Sequence, residues 1–144
     1  MSIRRFEEFL DSGAVKRQSP NRQRAFSIIE ETGGKTRFLG VSMKSVPSKE
    51  MNPNFIVDSC YDIIIEMVRA RMLIDGFNAG NSHEAEFSYM TRLGFSEADV
   101  RFMDEVRYYR NGTKYYGTML DMGYAEKVMA FMKRIYPRLL DMVR

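Results

Sequence analysis

Read for the spacing of its apolar positions, the chain is a succession of amphipathic helices with short breaks. Ile3, Phe6, Phe9 and Leu10 give a short helix over residues 2–11 one apolar face. Ser19-Pro20 opens a second helix over 20–31, which Gly33-Gly34 is expected to stop. Residues 35–51, with Phe38, Leu39, Val41, Met43 and Val46, fit either a helical continuation or an ordered loop, and Pro47 ends either one. The third helix is the clearest. Asn52 caps it and Pro53 suits its first turn. Ile56, Cys60, Ile63, Ile64, Met67, Leu73, Ile74 and Phe77 then recur at three and four to about Asn78, and Gly76 and Gly80 mark its end. At about 1.5 Å per residue this helix is roughly 38 Å long, the spine of a bundle.

Asn81 with Glu84 reads as a capping box for a fourth helix ending at Gly94, and Ser96 with Asp99 as the start of a fifth. Val100, Met103 and Val106 carry that helix toward residue 107. A last helix starts near Asp121-Met122-Gly123, with Tyr124, Val128, Phe131, Ile135 and Leu139 on one stripe; Pro137 is expected to kink it or split off its last turn. No strong strand pattern competes and there is no internal repeat. The fold class is therefore all-α, an up-and-down bundle of five to six helices, as one domain over residues 1–144.

Composition agrees. The chain has 144 residues, 44% hydrophobic and 28% charged, as in a soluble globular protein with one core. No run approaches the ~18 apolar residues of a membrane span, and Met1 to Glu8 lacks the apolar core of a signal peptide. The expected compartment is the cytoplasm, with no membrane partner. The single cysteine, Cys60, excludes an internal disulfide and a zinc cluster, and its apolar neighbours make it a core residue. Twelve methionines read first as core filling, with a partner-binding stripe as the alternative.

Charge changes the picture more. The net charge is only +3, but residues 1–50 hold ten Lys or Arg against six acids, 51–100 three against eight, and 101–144 nine against five. Two basic ends that fold together would suit RNA or nucleotide phosphates; otherwise they are a solvated surface.

Candidate chemistry concentrates in Arg107-Tyr108-Tyr109-Arg110-Asn111-Gly112-Thr113-Lys114-Tyr115-Tyr116-Gly117, where cations alternate with aromatics. Asn111-Gly112 also fits a hairpin turn, but the helix entering from Ser96 argues for helix through the motif, with Gly112 a weak point costing about 1 kcal/mol. Other motifs fail. Gly34-Lys35-Thr36 lacks the P-loop glycine, Ile29 standing in its place. Asn111-Gly112-Thr113 matches a glycosylation acceptor without a secretion signal. His83, the single histidine, reads as a surface or capping residue at a helix start. Asp58, Asp62 and Glu66 share a helical face but read as solvent-facing, so no metal is expected.

Arg110-Asn111 followed after a short gap by Tyr115 resembles the signature of HEPN domains, Arg often followed by Asn, then four to six residues, then His. The helix order over 52–144 agrees, a long helix preceding a shorter one, the motif helix and a final helix. The resemblance implies a helical bundle that commonly dimerises. It implies metal-independent RNase activity, partnership with a minimal nucleotidyltransferase in a toxin–antitoxin pair, or nucleotide binding without catalysis. By the same analogy Arg110 holds the phosphate, Asn111 orients it or the Arg, and Arg107, Arg110, Lys114, Tyr115 and Tyr116 bind RNA or nucleotide. No cofactor is expected. The departure is at the base, where Tyr115 stands for the motif His. A phenol with its ordinary pKa near 10 is ionised about once per thousand at pH 7, so binding survives the exchange better than cleavage. The alternative is an interaction subunit in which Arg110 pairs with an acid, Asp104 and Glu105 being close in sequence, and the tyrosines pack a dimer.

Overall fold

The structure, a computed structural model, describes residues 3–144; Ser2, expected in the first helix, lies outside the described residues. The described residues form an all-α bundle of six helices with one two-residue strand pair: α1 (Phe6–Asp11), β1 (Lys16–Arg17), α2 (Arg22–Ser45), α3 (Pro53–Asp75), β2 (Phe77–Asn78), α4 (His83–Arg92), α5 (Glu97–Tyr115) and α6 (Met122–Val143). α3 is the spine, packed chiefly between α2 and α6, with α4 and α5 against its remaining sides. Ile56, Cys60, Ile63, Ile64, Met67 and Leu73 are buried in it, as their spacing requires.

α3 stops at Asp75, three residues before its expected end. Gly76 turns left-handed (φ 87°), and a side chain there would meet the Gln18 carbonyl oxygen at 2.7 Å. The chain beyond pairs antiparallel with β1, Lys16 opposite Asn78 and Arg17 opposite Phe77. Two residues per strand are too few to leave an alternating pattern in the sequence.

α2 departs furthest from expectation. It runs through Gly33, Gly34 and Gly40 to Ser45, so residues 35–45 are helix, and a 3-10 turn at Ser48–Glu50 follows Pro47. The two adjacent glycines cost about 2 kcal/mol in helix propensity. Tertiary contact offsets it: Ala25, Thr32 and Leu39 are buried, and the Thr32 hydroxyl lies 3.3 Å from the Met67 sulfur of α3. Side-chain caps fix three of the other starts, Asn52 accepting from Phe55 N–H at 3.1 Å, Ser96 from Asp99 N–H at 3.1 Å and Asp121 from Tyr124 N–H at 2.8 Å. At α4 the cap is Ser82, accepting from Ala85 N–H at 3.2 Å, not Asn81. α6 passes through Pro137 unbroken; buried Leu139 and Val143 hold its last turns to the core, and Arg71 of α3 donates to the Met142 carbonyl.

Candidate functional site

The Arg107–Gly117 motif is helix as far as Tyr115, so the hairpin alternative does not form. Gly112 sits inside the helix for a local reason. The chain after Tyr116 turns at Gly117 (φ 69°) and folds back, Thr118 N–H donating to the Gly112 carbonyl at 3.1 Å. A side chain at Gly112 would meet the Thr118 hydroxyl at 3.1 Å. Asn54, near the start of α3, secures this return by donating to the Thr118 carbonyl at 3.0 Å and accepting from Leu120 N–H at 2.9 Å.

Arg107, Arg110 and Lys114 recur at three and four along α5; Arg110 and Lys114 turn to α3, and Arg107 lies over the Phe87 ring of α4 at 5.6 Å. Arg110 is held there firmly. Its guanidinium bonds Asp58 and, at 3.2 Å, Asp62, one turn apart on α3, and lies over the Tyr61 ring at 5.0 Å. Only 12% of its side chain is exposed. Burial pushes the Asp62 pKa upward, against the pull of Arg110, as for a carboxylate taken partly out of water. Lys114 reaches Asp58 at 3.8 Å. The acids that hold Arg110 thus lie on α3, where solvent exposure was expected of them. The sequence neighbours do other work: Asp104 accepts from Arg107 at 3.0 Å, and Glu105 accepts from the Tyr124 hydroxyl at 2.9 Å. The Arg107 Nε is buried without a hydrogen-bond partner.

The tyrosines take the other faces. Tyr109 meets Tyr124 edge-on, ring centroids 5.1 Å apart. Tyr108, Tyr115 and Tyr116 are 73%, 74% and 84% exposed. At about 100° per residue, Asn111 lies about 100° and Tyr115 about 140° around the helix from Arg110. The structure therefore gathers Arg107, Arg110 and Lys114, but does not bring Asn111, Tyr115 or Tyr116 onto their face.

A residue read in the sequence as a capping or surface group lies closer to these cations. His83, the first residue of α4, is half-buried; its Nδ1 is 3.0 Å from the Tyr61 hydroxyl, and the two rings stack with centroids 5.7 Å apart. Tyr61 is thus shared between Arg110 on one helix and His83 on another. Burial first, and then the charges of Arg110, Arg69, Arg107 and Lys114, hold the His83 pKa below its ordinary value. His83 also lines a cleft of about 230 Å³ with Arg24, Arg69, Asn78 and Glu86. Glu86 is wholly buried and bound by Arg69 at 2.5 and 3.0 Å. No local pattern could have found His83, because its partner Tyr61 is 22 residues away.

Among the described residues, no three or more His, Cys, Asp or Glu side chains are placed to hold a metal ion, and no helix is long and apolar enough to cross a membrane. No protein-family model, curated protein or solved structure matches the chain.

Proposed function

We propose that this chain is a HEPN-like interaction protein whose motif serves association, Arg110 fastening α5 to α3 and the uncovered tyrosines meeting a second copy of the chain. The observation that carries this reading is the division within one motif: Arg110 is 12% exposed between two carboxylates, while Tyr115 and Tyr116 are 74% and 84% exposed. Charge favours a second copy as the occupant. Arg107 is met by Asp104, and Arg110 and Lys114 by Asp58 and Asp62, so the three cations beside the aromatic edge are balanced by three carboxylates. A two-fold contact brings each patch against its own likeness, which a balanced aromatic patch tolerates and a strongly cationic one does not. Sedimentation equilibrium tests it. Wild type should be a dimer at tens of micromolar, and Tyr115→Asp with Tyr116→Asp should be a folded monomer; a monomeric wild type overturns the reading.

RNA cleavage by Arg110, Asn111 and Tyr115 has less support. The cation is already neutralised, and the proposed base lies on another face of the helix. Labelled RNA incubated with the protein in EDTA should stay intact; cleavage by wild type that Arg110→Ala abolishes would restore the enzyme. RNA or nucleotide binding at this edge is the second reading, favoured by Lys114, whose hold on Asp58 is loose at 3.8 Å and which lies beside two uncovered rings.

A further inference from the structure

The free cations of this protein are concentrated outside the motif. Among the described residues, Lys16, Arg17, Arg22 and Arg24 form no ion pair, although they fall within nine consecutive positions. Their segment is tied to the end of α3 by Gln18 N–H on the Gly76 carbonyl (2.9 Å), Asn21 N–H on the Leu73 carbonyl (3.0 Å) and the β1–β2 pair. The Arg17 guanidinium lies over Phe77 at 5.3 Å. Phe77 and Asn78 in turn form a wall of the 230 Å³ cleft that Arg24, Arg69 and His83 also line. The only acid in that lining is Glu86, buried and already bound to Arg69. What the cleft offers a ligand is therefore positive charge and hydrogen-bond donors.

His83 adds a directed donor. Tyr61 is buried, and its hydroxyl has the His83 Nδ1 as partner at 3.0 Å. In the tautomer in which the Tyr61 hydroxyl donates to Nδ1, the imidazole's own proton is on Nε2.

We propose that this cleft binds a phosphate group of a nucleotide or an RNA strand, Arg24 supplying the charge, His83 Nε2–H and the Asn78 amide donating to the oxygens, and Lys16 and Arg17 extending the field. A volume of about 230 Å³ houses a phosphate with its sugar and leaves a base outside. The proposal is independent of the dimer reading, whose test involves none of these residues.

The single histidine supplies the probe. Adenosine monophosphate, inorganic phosphate and a single-stranded RNA of about ten nucleotides are titrated at ~50 mM salt while the His83 ring protons are followed by NMR. Arg24→Glu is compared with Lys49→Glu, an exposed charge beyond the far end of α2, an end that is about 32 Å along the helix from Arg24. Arg24 is exposed and unpaired, so its replacement leaves the fold intact. The nucleotide should shift the His83 signals, with affinity reduced at least about tenfold in Arg24→Glu and less than about threefold in Lys49→Glu. RNA binding much tighter than the nucleotide identifies a strand site, and equal affinity a free-nucleotide site. Equal losses in the two variants, or His83 signals unmoved by every probe at millimolar concentration, overturn the proposal.

Discussion

The cations of α5 and those of residues 16–24 are the same residue types in opposite circumstances. Arg110 is packed against Tyr61 and bonded to two carboxylates, so a phosphate arriving there must displace Asp58 and Asp62. Arg24 has no carboxylate to displace and need only shed water and counterions. The motif richer in aromatics and cations by composition is thus the poorer anion site, and an unremarkable basic stretch beside a cleft is the better one. Residue type sets what a side chain can do; its bonded partners decide whether it is free to do it.

The two arginines should differ most when each is removed. Losing one partner of a buried ion pair costs about 3–5 kcal/mol, and the partial exposure of Asp58 and Asp62 reduces that to about 2–3 kcal/mol for Arg110→Ala. Arg24→Ala should stay within about 0.5 kcal/mol of wild type. Urea unfolding measures both, and an Arg110→Ala cost as small as that of Arg24→Ala would mean that Arg110 does not fasten α5.

A smaller effect comes from freeing Arg110 in place. Asp58→Asn with Asp62→Asn keeps shape but removes two negative charges, and should create salt-dependent RNA binding on α5 that wild type lacks there. Two freed cations that each meet a phosphate add roughly 1.4 to the log–log salt slope for a single strand. An unchanged slope would show that the carboxylates are not what keeps anions away.

The smallest effect is read at His83. Its pKa, held below the ordinary 6.5 by burial and then by Arg110, should rise in Arg110→Met by NMR titration. Below pH 6.5 the unfolded chain takes up this proton before the folded one does, so the contribution is whole above 6.5 and is lost as pH falls through the folded value. An unshifted His83 in Arg110→Met would disconnect the two regions that Tyr61 joins.

Local chemistry made much of the helical framework legible. The caps at Asn52, Ser96 and Asp121 act on N–H groups three residues away, and the stripe from Ile56 to Leu73 repeats within one helix. Such features need no knowledge of the rest of the chain. The glycines of α2 misled for the complementary reason. Their propensity is local, whereas the burial of Thr32 and Leu39 that overrides it depends on the distant α3 and α6. Pro137 misled in the same way, its helix being held by the burial of Leu139 and Val143.

The candidate sites divide along the same line. That cations and tyrosines share α5 and that residues 1–50 are basic follows from composition and helical spacing, which are properties of the chain. Which of those charges are neutralised depends on contacts between distant parts of the chain. Arg110 meets Asp58 across 52 residues and Tyr61 meets His83 across 22, and Lys16 and Arg17 pair with Asn78 and Phe77, which line the cleft. A charge is neutralised by whatever lies within a few ångströms of it, and in a folded chain those neighbours are seldom the neighbours in sequence.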